Sequence, residues 1–183
     1  HEEPQIKNHA SHPTNIVGKI EFRDVSFVYP DTGIKALNKV SFSVHPGETL
    51  AIIGNTGSGK STILELIGRL YDVTEGPYLV DDKPVQEVHL KSLRDATGYV
   101  PQDAFLFSDS IKNNIKFGKA DATDSEVIQA AKDAAVHANI EDFQKGYETV
   151  LGERGITLSG GQKQRVSIAR AIIKNPNILL FDD

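Results

Sequence analysis

Cysteine, methionine and tryptophan are all absent from the 183 residues. Without cysteine there are neither disulfides nor thiolate metal sites, and a reducing compartment is permitted. A basic surplus is missing as well: 20 Lys and Arg stand against 25 Asp and Glu, a net charge of −5. That balance argues against a large nucleic-acid footprint, although a local basic strip is compatible with it. No apolar run approaches the ~18 residues of a membrane span, so the chain is expected to be soluble. The 6 histidines show no ligand spacing, and His9 and His12 sit in a polar lead-in where solvated side chains are the expectation. No signal peptide is visible. With no initiator methionine and with His1 in first place, the chain reads as a piece of a longer protein. Its length fits one domain with a real core.

The stretch that organises the rest is GNTGSGKST, Gly54 to Thr62, a match to G-x-x-x-x-G-K-[ST]. Before it, Glu48 to Ile53 is a short apolar run after the turn pair Pro46-Gly47, and a buried strand is expected there. After it, Ile63, Leu64, Leu66, Ile67 and Leu70 recur at the spacing of one helical face. Strand, glycine loop and helix together make a phosphate cradle. Gly54, Gly57 and Gly59 let backbone N–H groups turn toward an anion, and the first helical turn adds unpaired donors and a positive dipole end. Lys60 supplies a charge for the β- and γ-phosphates, and the Ser61 hydroxyl a ligand for Mg²⁺.

In chain order, residues 1–17 lack periodicity and read as a linker, with the domain beginning near Gly18. Ile20 and Phe22 alternate, then Val25, Phe27 and Tyr29, with a phase slip at Arg23-Asp24 that predicts a bulge. A turn at Pro30 to Gly33 and a strand through Val40, Phe42 and Val44 follow. Tyr29 reads as a core or edge aromatic. Tyr78 to Val80 is a strand, and Asp81-Asp82, followed by Lys83-Pro84, is an exposed turn. Leu90 to Ala96 is a short helix, and Gly98 to Val100 a strand that leaves Gln102 at its end, where ligands gather in α/β sheets. Ser110 to Lys116 is helical. Thr123 and Glu126 form a capping box that opens a helix through Ala135, with Val127, Ile128, Ala131, Ala134 and Ala135 on its apolar side. Lys163 to Lys174 is a further helix, with Val166, Ala169, Ile172 and Ile173 inward and Arg165, Arg170 and Lys174 toward solvent, ended by Asn175-Pro176. Ile178 to Phe181 is a buried strand that delivers Asp182-Asp183 inside, where carboxylates need a cation or protons.

With the phosphate loop, Gln102, LSGGQ at 158–162 and ILLFDD at 178–183 in this order, the chain resembles the nucleotide-binding domain of an ABC (ATP-binding cassette) transporter. The likeness runs from about Gly18 to Asp183. It implies an α/β fold, a P-loop NTPase with a mainly parallel core sheet, an N-terminal antiparallel β subdomain and a helical subdomain at about 103–165, C-terminally incomplete. It implies ATP and Mg²⁺ as cofactors. ATP would be held by Tyr29, now read as the aromatic that stacks on adenine, and by Gly54, Asn55, Thr56, Gly57, Ser58, Gly59, Lys60, Ser61 and Thr62. Mg²⁺ would be held by Ser61, Gln102 and Asp182, the last through water.

Ser159, Gly160, Gly161 and Gln162 match the signature that, in the family, contacts the ATP of the opposite subunit. The implied partners are thus a second nucleotide-binding domain, in a homo- or heterodimer, and a transmembrane domain of the same or a partner chain at the cytoplasmic face of the cell membrane; no nucleic acid is expected. Glu148 to Gly155 resembles the loop by which exporters meet that domain. Asp183 stands where the family usually has the glutamate that polarises the attacking water. Slow hydrolysis in this chain's own site, as in one half of a heterodimeric exporter, or a shifted backbone in a homodimer are the two expectations. The isolated chain is expected to bind ATP and turn it over negligibly. A non-transport ABC ATPase acting on DNA or ribosomes is the alternative. A generic P-loop kinase or GTPase leaves LSGGQ unexplained.

Overall fold

The computed structural model describes residues 6–8, 10–52 and 59–182. Gly54, Asn55, Thr56, Gly57, Ser58 and Asp183 lie outside the described residues, as does His9. The chain divides into two units, residues 1–97 and 98–183.

In the first unit, β1 (Ile20–Val28), β2 (Lys35–Val44), β3 (Tyr78–Val80) and β4 (Lys83–Pro84) form an antiparallel sheet in the order β2-β1-β3-β4. The alternation of β1 buries Ile20 and Phe22 and then Val25 and Phe27. The phase slip is a bulge: the register shifts between Phe22 and Val25, and Asp24 takes a φ of 47°, with its amide held by the Ser41 hydroxyl at 2.8 Å. Phe22 packs against Phe42 at 4.5 Å and Tyr78 at 5.0 Å between centroids, so the core is fastened by rings far apart in sequence. Asp81 and Asp82 both have positive φ, 51° and 67°, the geometry of a two-residue hairpin turn. The Asp81 carboxylate accepts the amides of Val17, Gly18 and Lys19 at 2.7 to 2.9 Å. The lead-in, though without strand or helix, is therefore tied down: Ile16 is buried, Thr14 exchanges bonds with Ser92 and His89, and the buried Arg69 guanidinium donates to the Lys7 carbonyl at 3.0 Å.

Helix α1 (Lys60–Ile67) buries Ile63, Leu66 and Ile67 but stops before Leu70, which is 58% exposed instead of sharing their face. Gly68 caps it and Arg69 turns the chain with a φ of 56°. The strand expected over 48–53 does not form in its described part, 48–52, and Leu50 is exposed. A strand requires an edge to receive its N–H and C=O groups, and an apolar run of this length names no such edge. Helix α2 (Leu90–Asp95) follows as expected.

In the second unit, β5 (Thr97–Val100, its first residue at the boundary) and β6 (Ile178–Phe181) form a parallel pair, and the Asp182 amide donates to the Val100 carbonyl at 2.9 Å. Helices α3 (Ile111–Lys116), α4 (Asp124–Asp133), α5 (His137–Glu141) and α6 (Gly160–Ile172) enclose a core that includes Ile111, Ile115, Val127, Val166 and Ala169. Each of α3, α4 and α6 starts at a hydroxyl cap: Ser110, Thr123 and Ser159. The Thr123–Glu126 capping box forms. The helix it opens ends at Asp133, because Ala135 has turned out at a φ of 58° and is exposed. Helix α6 begins three residues before the expected Lys163, since Ser159 and Gln162 are themselves a capping box. Arg170, expected in solvent, is half-buried. Strand β6 is one-sided: Ile178 and Leu180 are buried while Leu179 and Phe181 are exposed, so its four apolar residues did not imply cover on both faces. Among the described residues no helix is long and apolar enough to cross a membrane.

Candidate functional site

In the first unit, Gly59 caps α1 at a φ of 93°. A Cβ there would stand 3.0 Å from the Ala36 carbonyl oxygen and 3.1 Å from Leu37, so the backbone angle calls for glycine and the space around it is tight. Lys60, half-buried, and Ser61, exposed, are the first two helical residues. The loop before Gly59 lies outside the described residues.

Tyr29 follows β1 directly. Its hydroxyl lies 2.7 Å from the Thr62 hydroxyl and donates to Glu65 Oε2 at 3.1 Å, while its ring meets Phe27 and Tyr71 edge-on at 4.9 and 5.5 Å. Burial is the main cause that pushes the phenol pKa up, so it stays a neutral donor. The aromatic is thus fixed to the first turn of the helix that carries Lys60 and Ser61. Glu65 had no place in the sequence reading. The signal was its position three residues after Thr62, on the same helical face.

In the second unit, Gln102 sits exposed just after β5 and Asp182 half-buried just after β6. The Asp182–Val100 hydrogen bond places both at one end of this strand pair. Tyr99 donates to Asp182 Oδ2 at 3.3 Å. In this unit Gln102 and Asp182 offer an amide oxygen and a carboxylate, and in the first unit Ser61 offers a hydroxyl; each by itself is an oxygen donor of the kind that suits a hard cation such as Mg²⁺.

The start of α6 has a specific arithmetic. Four amides at a helix N-terminus lack intrahelical partners. Here Ser159 Oγ accepts the Gln162 amide at 3.2 Å and Gln162 Oε1 accepts the Ser159 amide at 3.0 Å. The box leaves the amides of Gly160 and Gly161. A Cβ at Gly160 would meet nothing within 4 Å, and one at Gly161 would first meet Arg165 Nη1 at 3.5 Å. Two bare amides, a positive helix end and a neighbouring guanidinium form an anion-receptive surface. Beside it, a cavity of about 320 Å³ is lined by Phe105, Phe107, Leu151, Ile156, Leu158 and Lys163 among others.

A family model described as ABC transporter matches residues 37–183. The ABC transporter ATP-binding protein YfiB of Bacillus subtilis (strain 168) is 55% identical over 91% of this chain and 29% of its own length. The mitochondrial iron-sulfur clusters transporter atm1 of Aspergillus fumigatus is 50% identical over 91% of this chain and 23% of its own. The solved structure of a bacterial Atm1-family ABC exporter with ATP bound superposes with a TM-score of 0.87 at 45% identity, covering 99% of this chain and 32% of that one. The chain thus spans under a third of the length of these relatives. Its fold is that of the P-loop NTPases.

Proposed function

The chain belongs to the ABC transporter family, and on that premise we propose that it is the ATP-binding and ATP-hydrolysing domain of an exporter at the cytoplasmic face of a cell membrane. The observation that carries the reading is the capping box of α6, which spares the amides of Gly160 and Gly161 for an anion. The chain's own phosphate loop already serves one triphosphate. Head-to-tail pairing with a second nucleotide-binding domain brings these amides the other. Closing on two ATP and opening after hydrolysis moves the transmembrane domain, which the Glu148–Gly155 loop meets.

Each residue then has a task. Lys60 and the amides from Gly54 to Thr62 hold the phosphates, and Tyr29, kept in place through Thr62 and Glu65, stacks on adenine. Ser61, Gln102 and, through water, Asp182 hold Mg²⁺, which when bound neutralises phosphate charge. Of the catalytic residues, Asp183 polarises the attacking water, Gln102 senses Mg²⁺ and the γ-phosphate, and Lys60 supplies charge to the β- and γ-phosphates. A carboxylate one methylene shorter than the family's glutamate is withdrawn by about 1.5 Å, and a misplacement of about 1 Å can cost about 10²-fold in rate. This chain therefore binds ATP well and hydrolyses it slowly, while its signature completes the site of a partner, as in the degenerate half of a heterodimeric exporter. Asp183→Glu in the full-length protein should raise ATP turnover by about tenfold or more. Unchanged turnover would mean that Asp183 already works where it stands, as in a homodimer with an adjusted backbone.

A further inference from the structure

Arg170 lies near the far end of α6 from the signature. Its guanidinium donates from Nη1 to the Phe105 carbonyl at 2.7 Å, from Nε to the Asn114 carbonyl at 2.9 Å and from Nη2 to Asn114 Oδ1 at 3.1 Å. The same group stands over the rings of Phe107 and Phe117, 5.3 and 5.7 Å from their centroids. Asn114, fully buried, completes the clasp. Its Oδ1 accepts the Phe107 amide at 2.7 Å, and its Nδ2 donates to the carbonyls of Phe107 at 3.1 Å and Ser110 at 2.9 Å. The fit is close on the other side too, where a Cβ on Gly118 would stand 2.0 Å from the Arg170 carbonyl oxygen. Residues 105–110, which begin just beyond Gln102, are thereby held to α6 by a planar fork in addition to Leu106, which packs on the apolar core. That core, with Val166 and Ala169 of α6 and Ile173 just after it packed among Ile111, Ile115 and Val127, does not need the guanidinium.

We propose that Arg170 is a positioning residue: with Asn114 it locks the signature helix to the segment that follows Gln102, so that the two move as one body and the Gly160–Gly161 amides are delivered in register. The proposal rests on the signature reading above. Lysine cannot reproduce it, because a compact ammonium on a flexible stem lacks the fork that spans three acceptors and covers two rings.

The test uses the full-length protein in membranes, with Arg170→Lys, Arg170→Gln and Asn114→Asp. Because the apolar core is untouched, the variants should fold, as followed by thermal unfolding. MgATP affinity measured without turnover should stay within about twofold of the parent, while kcat falls by about tenfold or more. The double variant Arg170→Gln with Asn114→Asp should be little worse than the weaker single one, since both break one network. A kcat within about twofold of the parent in both Arg170 variants overturns the proposal. So does a loss of kcat and affinity in step with the folded fraction. A parent that turns ATP over beside variants that match it removes the lock alone; a parent that binds no MgATP removes the signature reading and the lock with it.

Discussion

The two units reach stability by different routes. In the first, β1 pairs with β2 on one side and β3 on the other, and the rings of Phe22, Phe42 and Tyr78 meet across those strands. These strand and ring fastenings close long loops of chain. In the second, Ser110, Thr123 and Ser159 start their helices through bonds three residues long, and small apolar residues such as Ala131 and Ala169 fill the space between. The unit that carries Gly59 and Lys60 depends on long-range packing, whereas the start of α6 depends on a local cap.

Phe22→Ala should show the largest effect, a loss of about 4 kcal/mol as the ring and its contacts disappear from a fully buried position. Hydrogen exchange of the β1 to β3 amides measures it. A loss under about 1 kcal/mol would mean that the sheet does not depend on its aromatic stack. Ser159→Ala should cost about 1 kcal/mol, the worth of a hydroxyl cap, and confine its effect to exchange in the first turn of α6. Spread of that effect through the β5–β6 pair would break the contrast between local and long-range fastening.

The smallest effect is one of pH. The Lys119 ammonium, first, and then the Thr123 amide hold the Glu126 carboxyl below its ordinary value of 4.5. A carboxyl whose pKa is lower in the folded state stabilises it fully above the ordinary value and loses that contribution as pH falls through the folded value. Exchange at the start of α4 should therefore rise only below about pH 4.5, and Glu126→Gln should remove the dependence.

The same contrast explains what could be read from the chain before its structure. The bulge at Asp24 and the Thr123 box were legible because phase slips and caps are written in neighbouring residues. The hairpin turn at Asp81-Asp82 was legible from Lys83-Pro84. The 48–52 segment was not, since its apolar run is silent about a pairing edge. Leu179 and Phe181 were misjudged for a similar reason: four apolar residues in a row fit a strand covered on one face or on both. Arg170 looked like a solvent-facing charge on an amphipathic helix. Its acceptors, Phe105 and Asn114, are 65 and 56 residues away, beyond any periodicity. The partners of Tyr29, Thr62 and Glu65, at 33 and 36 residues, were hidden in the same way.

The central claim, a triphosphate held by the loop that ends in Gly59-Lys60, is tested most directly by calorimetry of MgATP on the full-length protein and on its Lys60→Ala variant. Saturable binding in the parent and affinity weaker by about tenfold or more in the variant, the loss expected of one charge-assisted contact, is the predicted result. No binding heat in the parent, or equal affinity in the two proteins, would contradict it.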